Sequence, residues 1–382
     1  MRALWTGRLL PMLLPLCLLA LACQDPAASG PNPSSSTGSN LSSHRALPAR
    51  EIIDSHVHLS PDPAGIKRAL ALFERNGITR FCVKSAGPYG SRRYHATVAL
   101  AKRLGPRFAY FINLDWRGVN EAGWAQREAQ ALEQAMAQGA AGVKIFKALG
   151  LNVRNAEGKL LAVDDPKLDP IMETAAETGA IVALHTGDPV TFFDEPGPAN
   201  ERYLELLFAP SWSFWGADHP SRRSLMEARE RLVARHPKTT FLGIHLANMP
   251  EDLTGVDRLL ESYPNLYVDT SARIGEFGRH PAENVRAFFI KHADRILFGT
   301  DIIISGGGYQ LGSLSIWPDE EEDVDTFYRA HREYFETDRK GLDHPTPIQG
   351  MWTVDGIGLP KDVLQKLYVS NAEKLIFARS RR

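Results

Sequence analysis

In the segment IIDSHVHLS, residues 52–60, two histidines stand two apart, His56 and His58. Side chains two apart on a strand point to the same face, so the two imidazoles point together if the segment is extended. They then share either a buried ligand or a polar, solvated face. Further along, single polar residues sit in or close otherwise apolar runs: Lys144 in AGVKIFK, His185 in AIVALHT, His245 in TTFLGIH and Asp301 in RILFGTD. A charged or imidazole group in such a run is costly unless it is paired or bound to metal. Imidazole and carboxylate together suit zinc and related divalent ions. Each residue taken alone has a plainer reading. A lone histidine at a strand end is more often a hydrogen-bonded core or rim residue, and Asp301 could cap the turn that follows it.

The elements that would gather these residues are read from hydrophobic periodicity. Eight apolar runs read as strands: 51–59, 78–84, 107–114, 141–147, 180–186, 239–245, 265–270 and 295–301. Amphipathic stretches at 64–76, 92–104, 121–138, 166–178, 221–235, 251–262 and 281–292 separate them, and 361–377 closes the chain. Gly77, Gly139 and Gly179 stand at helix ends, where glycine commonly stops a helix. Strands each followed by a helix predict an α/β fold, a (β/α)8 TIM barrel with long loop insertions after strands 5 and 8. The insertions span 186–220 and 302–359, and the second holds a helix expected at 323–335. A doubly wound open sheet is the alternative, but no GxGxxG follows the first strand to support its dinucleotide-binding form. In a barrel, active sites lie at the carboxyl ends of the strands. His56, His58, Lys144, His185, His245 and Asp301 would then converge on one mouth.

The stretches DSHVHLS, GVKIFKALGL, VALHTGDP, GIHLAN, YPNLYVDTSARI and RILFGTD resemble the amidohydrolase superfamily, in its amidohydrolase-related branch, over about residues 51–378. The resemblance implies a metal-dependent (β/α)8 hydrolase, with some members acting as decarboxylases. It implies His56, His58 and His185 as metal ligands and Asp301 as ligand or base. His245 would bind a second metal or act on the substrate. In other members a lysine on strand four is carbamylated and bridges two metals, which makes Lys144 a candidate bridge. The alternative is a Lys144 that pairs with a carboxylate or binds an anionic substrate. The expected cofactor is a divalent metal, zinc foremost and manganese next, as one or two ions. The expected reaction is attack of metal-activated water on an amide, ester or lactone bond of a small molecule, with Asp301 taking the water's proton. Two rival readings are a non-oxidative decarboxylase on the same site and a surface lipoprotein that binds a metal or ligand without catalysis.

Several neighbours of these residues have two readings each. Asp54, two before His56, either orients a ligand or lies at a solvated strand start. Arg273 either pairs with a substrate carboxylate or is held by Glu276. Lys147 lies at the pocket rim if the fourth strand ends early. Trp212, Phe214 and Trp215 in one insertion, with Trp317 and Trp352 in the other, either wall the pocket or pack the insertions onto the barrel. His95, His219 and His236 read as ordinary surface or structural residues, and Cys82 as a buried small hydrophobe.

Composition sets the outer bounds. With 43% hydrophobic and 23% charged residues the chain is of ordinary globular type. A formal net charge of -1 and the lack of a long basic run give no footprint for nucleic acid. The start reads differently. Arg2 and Arg8 precede or enter an apolar run, Leu9 to Ala22, too short to span a bilayer and suited to a secretory signal. The run ends in LLALAC, which resembles the lipobox of bacterial lipoproteins, so residues 1–23 are expected to be a signal peptide with Cys23 lipidated. Residues 24–50, rich in Ser, Pro and Gly, are expected to form a disordered tether, with residues 51–382 as the catalytic domain. The chain is thus expected to be exported and lipid-anchored to the cell envelope, in the periplasm at the outer membrane. Cys17 leaves with the signal and Cys23 carries lipid, so Cys82 alone remains and no disulfide framework forms in the domain.

Overall fold

The computed structural model describes residues 50–216, 218–314 and 319–378. The expected signal segment with Cys23, the tether up to residue 49 and Trp317 lie outside the described residues.

Eight strands follow one another around the sheet in chain order, all neighbours parallel. They are β1 (Ile52–Leu59), β2 (Ile78–Val83), β3 (Phe108–Asn113), β4 (Gly142–Ile145), β5 (Ile181–Leu184), β6 (Thr240–Gly243), β7 (Leu266–Asp269) and β8 (Ile296–Leu297). β4 and β5 are buried at every position, as parallel strands covered on both faces must be. The helices between them start on side-chain caps. Asp62 accepts the Gly65 N–H at 2.8 Å ahead of helix Pro63–Arg75, and Ser221 accepts the Ser224 N–H at 3.2 Å ahead of helix Arg222–Arg235. Gly77 and Gly179, at φ 73° and 71°, occupy the left-handed positions that end two of them.

The barrel closes between β8 and β1, and here the structure departs from a simple strand. The sequence reads 295–301 as one run, yet β8 stops at Leu297. The Ser55 N–H donates to Phe298 O at 3.0 Å and the Asp301 N–H to His56 O at 2.9 Å. A further strand, β9 (Ile302–Ser305), then pairs parallel with the second half of β1, and β10 (Gly308–Leu311) folds back on it antiparallel. The break has a local cause. The Thr300 hydroxyl and N–H both donate to the Asp54 carboxylate, at 2.6 and 3.2 Å, so a side chain takes the place of a ladder partner. Gly299 allows the approach, because a Cβ there would stand 2.8 Å from the Cβ of His56.

The (β/α)8 barrel is therefore the fold, with its insertions after β5 and β8. The helix expected at 323–335 is Glu321–Glu336, begun by a capping box of Glu320 and Asp323. Its Tyr328 donates a 2.9 Å hydrogen bond to Asp54, so this insertion braces the strand that carries both histidines. Among the described residues no helix is long and apolar enough to cross a membrane.

Candidate metal centre and active site

Strand alternation in β1 aims both histidines into the barrel mouth. The Nε2 atoms of His56 and His58 each lie 3.1 Å from Oδ1 of Asp301. Below them Asp54 is fully buried and accepts four hydrogen bonds: from the His56 N–H, the Thr300 N–H and hydroxyl, and Tyr328. It is not at a solvated strand start. Burial still pushes its pKa up to about 6 against those donors.

Behind the histidines sits Asp269, the last residue of β7, to which the strand pattern alone gives no separate role. His56 Nδ1 is 2.9 Å from Asp269 Oδ2, so the ring's N–H points at the carboxylate and the Nε2 lone pair faces the mouth. The other carboxylate oxygen accepts the His245 N–H at 2.8 Å and the Ser271 hydroxyl at 2.6 Å. His245 Nδ1 faces the Ser271 carbonyl at 2.8 Å, which fixes the proton on that nitrogen. Its Nε2 then faces Asp301 Oδ2 as a lone pair, at 3.9 Å. A signal for Asp269 was present: like Asp301, it is an aspartate at the carboxyl end of an apolar strand.

His245 does not extend β6 as the sequence suggests. The strand ends at Gly243, and His245, Leu246, Ala247 and Asn248 take φ of 58°, 53°, 55° and 53°, a left-handed turn. Such backbone costs about 1–2 kcal/mol per residue with a side chain. Among the described residues the other non-glycine positions with positive φ are Ala272 and Asp301, after β7 and β8. All of this strain therefore gathers at one end of the barrel.

Lys144, on β4, places its Nζ 3.0 Å from His56 Nε2 and 3.4 Å from His58 Nε2. Burial pulls its pKa down to about 8. His185, just past β5, stacks edge-on to His245 with ring centres 4.6 Å apart, but its Nε2 meets Asp188 at 3.3 Å. Among the described residues two groups of donor atoms lie within 4.8 Å of one another, His56 with His58 and Asp301, and His56 with His245 and Asp269; His185 is in neither. β4 ends at Ile145, so Lys147 falls in the following turn, where it pairs with Asp188 and lies 4.7 Å over the Trp212 ring. Arg273 reaches toward Asp188 at 3.9 Å. Glu276 does not hold Arg273. It pairs with Arg202, which also binds Glu205 at 2.6 Å, all three buried. The sequence does not single out Asp188, Arg202 and Glu205, because Asp188 lies in a loop and the other two begin a helix, Tyr203–Phe208, too short to show a period.

Most of these residues, though not His56 or Glu276, line a cavity of about 300 Å³, with Phe146, Phe192 and Trp212 as its aromatic wall. The other aromatics pack elsewhere. Phe214 lies against Phe193, Trp215 is 54% exposed, and Trp352 donates to Gly275 O at 2.8 Å. His95 packs on Tyr94, His219 on Phe214, and His236 bonds Asp169, all away from the cavity. Cys82 is free and buried.

The donor set suits a divalent cation. Burial draws the pKa of His58 down to about 4. Burial works against the Asp301 carboxylate, but its close contacts with His56 and His58 outweigh it and hold its pKa well below the usual range. With the Nδ1 side of His56 turned to Asp269, the Nε2 atoms of His56 and His58 face the Asp301 carboxylate, with Lys144 Nζ as the neighbouring proton donor. A cation with nitrogen and oxygen ligands fits that arrangement.

Comparison with known proteins follows the same lines. No curated protein matches the sequence. Among solved structures, an uncharacterised TIM-barrel protein from Bordetella bronchiseptica is similar at 16% identity and TM-score 0.52, over 87% of this chain and 100% of that one. A dihydroxybenzoic acid decarboxylase from Polaromonas sp. JS666, with bound manganese and the inhibitor 2-nitroresorcinol, is similar at 14% identity and TM-score 0.50, over 87% of this chain and 98% of that one. A 2,6-dihydroxybenzoate decarboxylase from Rhizobium gives 15% identity and TM-score 0.49, over 86% and 99%. At these identities the likeness is one of fold. The amidohydrolase family profile matches residues 53–377, nearly the whole described barrel, and the chain belongs to that family.

Proposed function

We propose that the chain is a metal-dependent hydrolase of small molecules, with one divalent ion, zinc or manganese, held by His56, His58 and Asp301. The supporting observation is the meeting of two imidazole Nε2 atoms and one carboxylate oxygen at 3.1 Å in a buried mouth. A bound ion would act as a Lewis acid on a substrate oxygen and lower the pKa of water toward roughly 7. Asp301 takes the proton of the attacking water and returns it to the leaving group. His245, neutral and with its proton on Nδ1, presents Nε2 as an acceptor and orients that water. Lys147 and Arg273, on the cavity wall, hold a polar end of the substrate, and the aromatic wall receives its apolar part. In the two-ion variant of this reading, Lys144 would be carbamylated and would supply the carboxylate that holds the second ion.

A second reading, decarboxylation on the same site, is favoured by the two basic side chains of Lys147 and Arg273 at the cavity. They suit a substrate carboxylate, whose loss as carbon dioxide would leave a carbon that takes its proton from water by way of Asp301.

The test is metal content per chain, beside a His56→Ala/His58→Ala double variant. About one ion in the wild type, lost in the variant, supports the reading. No ion after addition of zinc or manganese sinks it. Turnover on esters, lactones and amides against carbon dioxide release from carboxylic acids separates the two reactions. We also propose export and anchoring through a lipid on Cys23. A Cys23→Ala chain that still partitions with membranes overturns that part.

A further inference from the structure

The left-handed turn that presents His245 leaves its carbonyl groups to be accounted for. A buried backbone carbonyl needs a partner. Asn248 N–H donates to Ile244 O at 3.0 Å and to His245 O at 2.9 Å, and Met249 N–H to Leu246 O at 3.2 Å. The two that remain, on Ala247 and Asn248, are taken by two arginines of one helix, Arg222–Arg235. Arg229 donates to Ala247 O, and Arg222 to Asn248 O.

Arg229 is the unusual member. It is 2% exposed, and its other contacts are the sulfurs of Met226 and Met249, at 3.4 and 3.2 Å. Among the described residues no carboxylate forms an ion pair with it. A buried guanidinium without a counter-charge is expensive, and an apolar side chain would serve helix packing better. Arg222 extends the tie, with its Nε donating to Asp188 O at 3.0 Å and the nitrogen that meets Asn248 O also 3.1 Å from Glu251. Asp188 in turn meets His185 and Lys147.

We propose that Arg229, with Arg222, is a positioning residue for His245: the two guanidiniums cap the Ala247 and Asn248 carbonyls and thereby hold the turn that aims the imidazole at the mouth. This rests on the reading that His245 works at the metal centre. The side chains touch neither the cavity's reacting atoms nor one another's role; they act through the backbone of the turn.

The experiment uses the full chain labelled with 15N-histidine. The His245 Nδ1 proton, shared with the Ser271 carbonyl, gives a slowly exchanging downfield signal, assigned by its loss in His245→Gln. Arg229→Met is expected to abolish this signal while those of His236, bonded to Asp169, and of His292, whose Nε2 lies 2.6 Å from Asp257 Oδ1, persist. Ala247→Gly lowers the cost of the left-handed turn, so Arg229→Met/Ala247→Gly is expected to recover the signal. A gentler variant, Arg222→Ala, is expected to speed exchange of that proton at least tenfold, and it answers the question if Arg229→Met does not fold. An unchanged His245 signal in Arg229→Met or Arg222→Ala overturns the proposal, as does a lost signal that Ala247→Gly fails to recover. Ion content is measured on the same samples. Wild type without any ion, but with the signal behaving as stated, sinks the metal reading and leaves the positioning role. A bound ion with an unmoved signal in the arginine variants does the reverse.

Discussion

His56 Nδ1 and Asp269 Oδ2 stand 2.9 Å apart, both fully buried, although 213 residues separate them in the chain. The contact sets which nitrogen of His56 carries the proton and turns Nε2 toward the mouth. Asp269 uses its second oxygen for the His245 N–H and the Ser271 hydroxyl, so one carboxylate orients two histidines. Asparagine has only one acceptor oxygen and would set an NH2 group against one of these donors. Asp269→Asn is expected to weaken metal binding by about 10–100-fold, measured by competition with a chelator. Unchanged affinity in a folded variant would show that the carboxylate does not orient the ligands.

Lys144 occupies the position where its charge opposes a cation most directly, hydrogen-bonded to both β1 histidines. Replacing it with methionine removes that repulsion and keeps the volume. Lys144→Met is expected to raise divalent-ion affinity by roughly tenfold, equivalent to ~1.4 kcal/mol. A variant that instead loses an ion per chain would point to the carbamylated bridge.

The buried arginine of the β5 insertion holds three loops together. Arg202 pairs with Glu205 and Glu276, and Glu205 also accepts from Ser313 in the last insertion. Removing the cation leaves two carboxylates buried without it. Arg202→Met is expected to cost about 3–5 kcal/mol of stability, read from urea unfolding at pH 7. A loss below about 1 kcal/mol would mean that the loops tolerate the unpaired acids, as surface pairs do.

Burial pushes the pKa of the Cys82 thiol up to about 11, above its ordinary value of 9.0. The native protein should therefore keep this thiol protonated and unreactive toward an aromatic disulfide reagent at pH 8, with Cys82→Ala as the blank. Unfolding should release it. The sign for stability follows from proton binding: the native state holds the proton where the unfolded chain has lost it, so this group lowers stability as pH rises from about 9 to about 11. Rapid labelling of the folded protein at pH 8 would contradict the burial.

The sequence by itself determined the repeat of strands and helices, and with it the barrel. Hydrophobic periodicity is a local property, and runs such as IVAL in β5 read as buried strands without knowledge of their neighbours. The common direction of His56 and His58 was equally local, since two-residue alternation needs only an extended backbone. The strand-end rule then brought Asp301, Lys144 and His245 to the same mouth. Tertiary structure decided the partners. Glu276 lies three residues from Arg273 yet binds Arg202, because the β5 insertion carries that arginine across the mouth to meet it. His185 turns to Asp188 rather than to the His56, His58 and Asp301 group. The break after β8 and the left-handed turn at His245 depend on Asp54, Asp269, Arg222 and Arg229, which reach them from distant parts of the chain. Such contacts leave no periodic trace in a sequence, because each is made by side chains meeting through space after the backbone has closed.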